Sequence, residues 1–182
     1  MSAKDRIEAE IAHSRLVQAT RPKLWDWATP AGRLRAQRRT DLLCQHGRFA
    51  RNQRLLEIGC GTGLFTELIH KATGASIVGI DIAELFIAEA CKRLPEVTFQ
   101  TDDASHLSFP DGSFDAVYGS SILHHLVVEE TLPEILRVLK PGGRTVFAEP
   151  NMVNPQILVQ KNIPAVKRWM GDTPHETAFV RW

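Results

Sequence analysis

Two hydrophobic rhythms alternate along the chain. Short apolar runs suited to buried strands are followed by stretches in which apolar residues recur every three or four positions. The first run is Leu55-Leu56-Glu57-Ile58, and Leu64, Phe65, Leu68 and Ile69 follow it at helical spacing. Ser76–Ile80 is a second buried strand, ending at Asp81. The next helix, Ala83–Leu94, turns Phe86, Ile87, Ala90, Cys91 and Leu94 inward, which makes Cys91 a small core residue. Val97–Thr101, Phe114–Ser120 and Arg144–Glu149 complete the strands, and Leu132, Ile135, Leu136 and Leu139 form a helical stripe between the last two. The order β-α-β-α-β-β-α-β with short connections predicts a doubly wound α/β fold around a mostly parallel sheet, covered on both faces.

Punctuation residues set the boundaries. Thr29-Pro30 supplies an N-cap and a proline at the first helical position, opening a helix that carries Leu34, Leu42 and Leu43 and meets a C′ glycine at Gly47. Thr73-Gly74 stops the helix after the first strand. Thr131-x-x-Glu134 reads as a capping box, which puts Pro133 in a first turn where it is tolerated. Lys140-Pro-Gly-Gly143 reads as a tight turn. Ahead of all this, residues 4–18 read as a helix with a thin apolar stripe, broken at Arg21-Pro22, with Trp25 and Trp27 in the loop that follows. The division expected is a helical cap or lid over 1–50 and a core over 51–182.

Charge separates the same two regions. Residues 1–54 hold 12 Lys/Arg against 5 Asp/Glu, and residues 55–182 hold 10 against 16. The basic run Arg33–Arg39 reads as a solvated helix face, with a patch for an anionic substrate, lipid headgroup or nucleic acid as the alternative. The two tryptophans pin the front helices to the body or serve as a substrate lid. Three cysteines, Cys44, Cys60 and Cys91, do not suit a disulfide framework and fit a reducing, cytoplasmic setting. No apolar run approaches membrane-spanning length, and the first residues carry no signal-peptide pattern.

Candidate chemistry gathers at predicted strand ends. Gly59, Gly61 and Gly63 lie between the first strand and its helix, a strand, glycine turn and helix unit that lets backbone amides face an anionic ligand. A dinucleotide fingerprint would put its last glycine at position 64, where Leu64 stands. Asp81, about 20 residues on, is placed to accept both hydroxyls of a ribose; the plainer alternative is a helix cap. Asp103 and Ser120 close the third and fourth strands, so the glycine turn, Asp81, Asp103 and Ser120 converge on one end of the sheet.

The successive segments LLEIGCGTG, VGID, TDDASHLSFPDGSFDAV and LRVLKPGGRTVFAEP resemble the motifs of class I S-adenosylmethionine-dependent methyltransferases, the type 11 family in particular. The resemblance implies a Rossmann-like fold, S-adenosyl-L-methionine as cofactor and S-adenosyl-L-homocysteine as product. It implies that Glu57, with the backbone of Gly59, Cys60, Gly61 and Gly63, holds the methionine part. It implies that Asp81 takes the ribose, Ile82 lies against adenine, Asp103 accepts from the adenine amino group, Ala104 contributes backbone and Ser120 lines the cofactor. In-line displacement needs a base only where the acceptor must lose a proton, and His124 and His125, past the fourth strand, are the candidates. Many methyltransferases acting on nucleobase or glutamine amines carry Asp/Asn-Pro-Pro-Tyr here; this chain has Gly119-Ser-Ser-Ile-Leu123, which favours a small-molecule acceptor over nucleic acid. The alternatives are an NAD-dependent oxidoreductase and a non-catalytic binding or scaffold domain.

The family's sheet ends in an antiparallel hairpin that is missing here. After Glu149-Pro150 come short helices near Asn154-Pro155 and from Pro164 to Trp169, then a capping box at Thr173-Pro-His-Glu176. The apolar fifth strand would be left as a bare edge, so the expectation is a partial product or an edge covered by a partner chain, such as a homodimer.

Overall fold

A computed structural model describes residues 11–12, 27–151, 153–154, 158–159, 162–163 and 166. The elements in order are α1 (Pro30–Gly47), β1 (Arg54–Ile58), α2 (Leu64–Thr73), β2 (Ser76–Asp81), α3 (Glu84–Arg93), β3 (Thr98–Thr101), β4 (Phe114–Ser120), a 3-10 turn (Leu123–His125), α4 (Val128–Val138) and β5 (Leu139–Ala148). The strands form one sheet in the order β3-β2-β1-β4-β5, and every pairing is parallel. The order reverses at β1, so the crevice at its C-terminal end is open between two crossovers, where ligands of doubly wound sheets bind.

Strand alternation sorts the core into two layers. Leu56 and Ile58 of β1, with Val78, Ile80 and Val117, pack against Ile135 and Val138 of α4. Leu55 and Ile77, with Ala116 and Tyr118, pack against Leu43 of α1 and Ile69 of α2. By the same period of two, Glu57 shares the face of Leu55 and points into the α1–α2 layer, while Ile58 faces the other. Helix α1 therefore shares the core of the sheet, packing on β5, α2 and β4.

Several expected boundaries move. Thr29 caps α1 as expected, its side chain accepting from the Gly32 amide at 3.0 Å. The left-handed residue at the end is Arg48 (φ 51°), with Gly47 still helical. Gly47 is needed because a Cβ there would lie 2.2 Å from the Phe49 ring. Cys91 is exposed; the buried stripe of α3 runs through Ile87 and Ala90, which puts Cys91 one step off it. Helix α4 begins at Val128, so Thr131 lies inside it, and Pro133 falls past the first turn. Glu134 instead accepts from the Leu107 amide at 2.8 Å and pairs with Arg137, which also holds the Leu107 and Phe109 carbonyls. The loop after β3 is thereby fixed to α4. The Lys140–Gly143 turn is an irregularity within β5, between the pairs Phe114–Leu139 and Ala116–Arg144.

Among the described residues β3 and β5 are the two sheet edges. Of the front segment, residues 11 and 12 are helical and Trp27 is described. The rest of the 4–18 helix, Trp25, the helix read near Asn154-Pro155 and to Trp169, and the capping box at Thr173 lie outside the described residues, apart from the short described stretches there. Among the described residues no helix is long and apolar enough to cross a membrane.

Candidate functional site

The three glycines do three different jobs. All have positive φ: 68° at Gly59, 52° at Gly61 and 80° at Gly63. A Cβ on Gly59 would lie 2.5 Å from the Ile122 side chain, so this glycine lets the chain turn beneath Ile122. Gly63 caps α2, and a Cβ there would press on Ala90 and Phe99 at 3.2 and 3.3 Å, so it serves close helix–sheet packing. At Gly61 a Cβ meets nothing within 4 Å, and the backbone lies bare toward open space. Between them the buried Cys60 donates its amide to the Ile80 carbonyl at 2.9 Å, extending the β1–β2 pairing into the turn. Its thiol pKa is raised well above the ordinary value by burial, so it is a neutral packing group.

Asp81 ties this turn to the second strand. Its Oδ2 accepts from the Gly61 amide and its Oδ1 from the Ala83 amide, both at 2.9 Å. Helix α3 is flanked by Ala83 and has no side-chain cap, so Asp81 is not its cap. Burial raises the Asp81 pKa, opposed by those backbone amides and by the nearby charge of His125. A carboxylate has about four lone-pair directions, which leaves capacity for two further donors.

Ile58, Gly59, Ile80, Asp81, Ile82, Asp102, Ala104 and Ile122 line one open cleft. The structure thus brings Gly59, Asp81, Ile82 and Ala104 together. Apolar walls from Ile82, Ala104 and Ile122, with the carboxylates of Asp81 and Asp102 in the same lining, suit a flat ring carrying a ribose diol, the shape of an adenosyl group.

Other expected residues stand outside the cleft lining. Glu57 is 1% exposed and sits on the opposite face of β1. Its Oε2 accepts from Thr66 Oγ1 at 2.5 Å and from the Tyr118 hydroxyl at 2.9 Å. Burial pushes its pKa to about 8, so it is largely a neutral carboxyl at pH 7. Asp103 accepts from the Ser105 amide through Oδ1 at 2.9 Å, while its neighbour Asp102 lines the cleft and accepts from the amide and hydroxyl of Ser108. Ser120 is next to the glycine turn, since Ile58 pairs with Gly119, and its hydroxyl accepts from Arg39 at 2.9 Å.

The two histidines separate. His124 is buried, with Nδ1 2.7 Å from Glu149 Oε2. The other oxygen of Glu149 accepts from the Ile122 and Leu123 amides at 2.9 and 3.0 Å. That carboxylate locks the turn carrying Ile122 over Gly59. The His125 ring lies 4.2 Å from that of His124.

Sequence reasoning missed Arg39, Glu149, Ile122 and Asp102. Glu149 had one signal, an acidic residue ending a strand. Arg39 had only the signal of the whole run, the anionic-patch alternative for Arg33–Arg39: Arg33, Arg35 and Arg38 are exposed, and Arg39 alone of the four arginines turns inward. Among the described residues no group of His, Cys, Asp and Glu could hold a metal ion.

The family described as methyltransferase domain matches residues 56–147. The 2-methyl-6-phytyl-1,4-hydroquinone methyltransferase of Synechocystis sp. is 40% identical over 101 residues, which cover 53% of this chain and 32% of that protein. The demethylmenaquinone methyltransferase of Thermus thermophilus is 41% identical over 103 residues, covering 53% and 47%. Among solved structures, the PH0226 protein from Pyrococcus horikoshii aligns with a TM-score of 0.66 at 27% identity, over 76% of this chain and 63% of that one. The chain spans about a third to a half of the length of the curated relatives it matches.

Proposed function

Because the chain belongs to the type 11 methyltransferase-domain family, we propose that it binds S-adenosylmethionine across the ends of β2, β1 and β4 and methylates a small-molecule acceptor. The observation that carries this reading is the single cleft shared by Gly59, Asp81, Ile82 and Ala104. When bound, S-adenosylmethionine supplies a methyl group already activated by the sulfonium.

The chain's own work is then orientation and exclusion of water, which can account for roughly 7–11 kcal/mol of a barrier. Asp81 holds the ribose hydroxyls while keeping its bonds to the turn. Ile82 and Ala104 take the adenine faces. Asp103 accepts from the adenine amino group through Oδ2, the oxygen left over from its bond to Ser105. The bare backbone at Gly61, with Cys60 and Gly63 fixing it, lies under the methionine part, and Ser120 lines the same end. Glu57 contributes from beneath by locking Thr66 of α2 and Tyr118 of β4 beside that turn. For an acceptor that must lose a proton, His125 takes it on the cleft side, and His124, held by Glu149, supports the ring. The setting is cytoplasmic, and the β5 edge is covered by a second copy.

The names of the relatives point to quinol-type acceptors. The test is transfer of labelled methyl from S-adenosylmethionine to a panel of quinols, phenols and sterols. Labelled product from one class supports the reading. No transfer to any class, by a chain that binds the cofactor, favours a binding domain instead.

A further inference from the structure

Helix α1 has two unlike sides. Ala36, Thr40, Leu43 and Gly47 are buried and seat it on the sheet. Leu34, Arg38 and Leu42, at spacings of four, line up along the opposite side. All three are exposed, Leu34 at 73%. Exposed Arg33 and Arg35 flank Leu34.

The charge of this side is not answered by acids. The first turn of α1 holds none, and the helix's single acid, Asp41, accepts from Gln37 at 2.8 Å. Arg33 donates to the Ala28 carbonyl, and the Arg35 guanidinium lies 5.8 Å over the Trp27 ring. Among the described residues Arg33, Arg35 and Arg38 enter no ion pair. Cations near a helix N-terminus also meet the positive end of its dipole. Three arginines held together there set up a positive potential that an external anionic surface relieves.

Placement ties this side to the cleft. Arg39, midway along α1, reaches Ser120 and Ser121 at the C-terminal end of β4, while the end of α1 leads toward the start of β1. The helix therefore runs antiparallel to the strands. Its first turns, which carry Arg33–Arg38, advance roughly 1.5 Å per residue past the strand ends where the cleft opens.

We propose that the outward side of α1 docks the chain on an anionic bilayer surface. The three arginines meet headgroup phosphates, and Leu34 and Leu42 reach the acyl boundary. Nucleic acid would use the arginines alone: a leucine so exposed between two cations gains nothing from a phosphate backbone, and gains burial at a lipid interface. Residues 30–47 precede the family match, which begins at residue 56 and does not assign this surface. Docking sets the mouth of the cleft beside the bilayer, from which a lipid-soluble acceptor can be drawn. It goes beyond the methyl-transfer reading and does not depend on it.

The test is co-sedimentation of the 182-residue chain, without cofactor, with vesicles of phosphatidylcholine alone or of phosphatidylcholine mixed with phosphatidylglycerol. The chain is expected to sediment with the anionic vesicles only, and added salt should release it. The triple variant Arg33→Gln/Arg35→Gln/Arg38→Gln should bind those vesicles roughly 10- to 100-fold more weakly. Leu34→Ser/Leu42→Ser should bind them roughly tenfold more weakly. Thermal melts report whether each variant is folded. Should the triple variant not fold, Arg38→Gln alone, at a fully outward position, should lose roughly fivefold. Three results overturn the assignment: no binding of the wild-type chain to anionic vesicles, unchanged binding when the arginines are replaced, or unchanged binding when the leucines are replaced. In the last case, equal binding of a DNA duplex by the wild-type chain and the leucine variant would mark a nucleic-acid surface instead. Titration of the same chain with S-adenosylhomocysteine reports on the cofactor reading separately, so either reading can fail while the other stands.

Discussion

The amide of Gly61 donates to Oδ2 of Asp81 at 2.9 Å, joining the bare centre of the glycine turn to the end of the neighbouring strand. One carboxylate thus shapes the turn and faces the cleft. Asp81→Ala removes both functions. Affinity for S-adenosylhomocysteine should fall by about 1–3 kcal/mol, and the melting temperature should fall with it. Calorimetric titration and thermal denaturation check the two effects. Unchanged affinity would remove Asp81 from the site.

The glycines of the turn should separate by experiment. Gly61→Ala places a Cβ in open space, so its folding cost is the left-handed backbone alone, about 1–2 kcal/mol. Gly59→Ala adds a clash with Ile122 on top of the same backbone penalty, and overpacking typically adds about 1–3 kcal/mol. Urea denaturation should therefore rank Gly59→Ala as the more damaging. Equal losses would contradict the packing described under Ile122.

Glu57 gives a pH signature. Its folded pKa of about 8 lies above the ordinary carboxylate value, so the folded chain binds the extra proton in the window between. Stability is full below the unfolded pKa and is lost as pH rises toward 8, at up to about 1.4 kcal/mol per pH unit. Glu57→Gln keeps an acceptor for Thr66 and Tyr118 and does not ionise. The wild-type melting temperature should fall between pH 6 and pH 8 (roughly the upper half of that window), and the variant should lose most of that slope. Parallel slopes would show that Glu57 is charged throughout.

Glu149 is predicted to matter for folding as well as for the cleft. Glu149→Ala strands two backbone amides and His124, and should cost about 2–4 kcal/mol in denaturant unfolding. A loss below about 1 kcal/mol would mean that water replaces the carboxylate without penalty.

Asp103 can be tested through the base it is proposed to read. The wild-type chain should prefer S-adenosylhomocysteine over its inosine counterpart, whose six-position oxygen cannot donate. Asp103→Asn keeps the bond to Ser105 and should narrow that preference roughly tenfold. An unchanged ratio would reassign adenine recognition to the backbone near Ala104.

The fold was legible because its signals are local. Strands at Leu55, Ser76 and Phe114 announce themselves by apolar runs, and Thr29 and Gly74 by capping chemistry. The start of α4 was not, since Val127 caps nothing with its side chain while Thr131-x-x-Glu134 imitates a cap; Glu134 instead serves Leu107 and Arg137. In the site, Gly59 and Asp81 could be placed because turn geometry and strand ends fix them. The inward turn of Arg39 depends on Ser120 and Ser121, about 80 residues away, and on the rotation of α1 against the sheet. No periodicity in the run Arg33–Arg39 encodes that. Glu57 was assigned to the ligand from its place in the motif, yet strand alternation, available in the same residues, puts its side chain beneath the turn.

The central claim is that the cleft is built for a thioether nucleoside rather than a dinucleotide. The most direct measurement is isothermal titration of the unmodified chain with S-adenosylhomocysteine and, separately, with NAD. S-adenosylhomocysteine should bind at one site per chain and the more tightly of the two. Tighter binding of NAD would contradict the account.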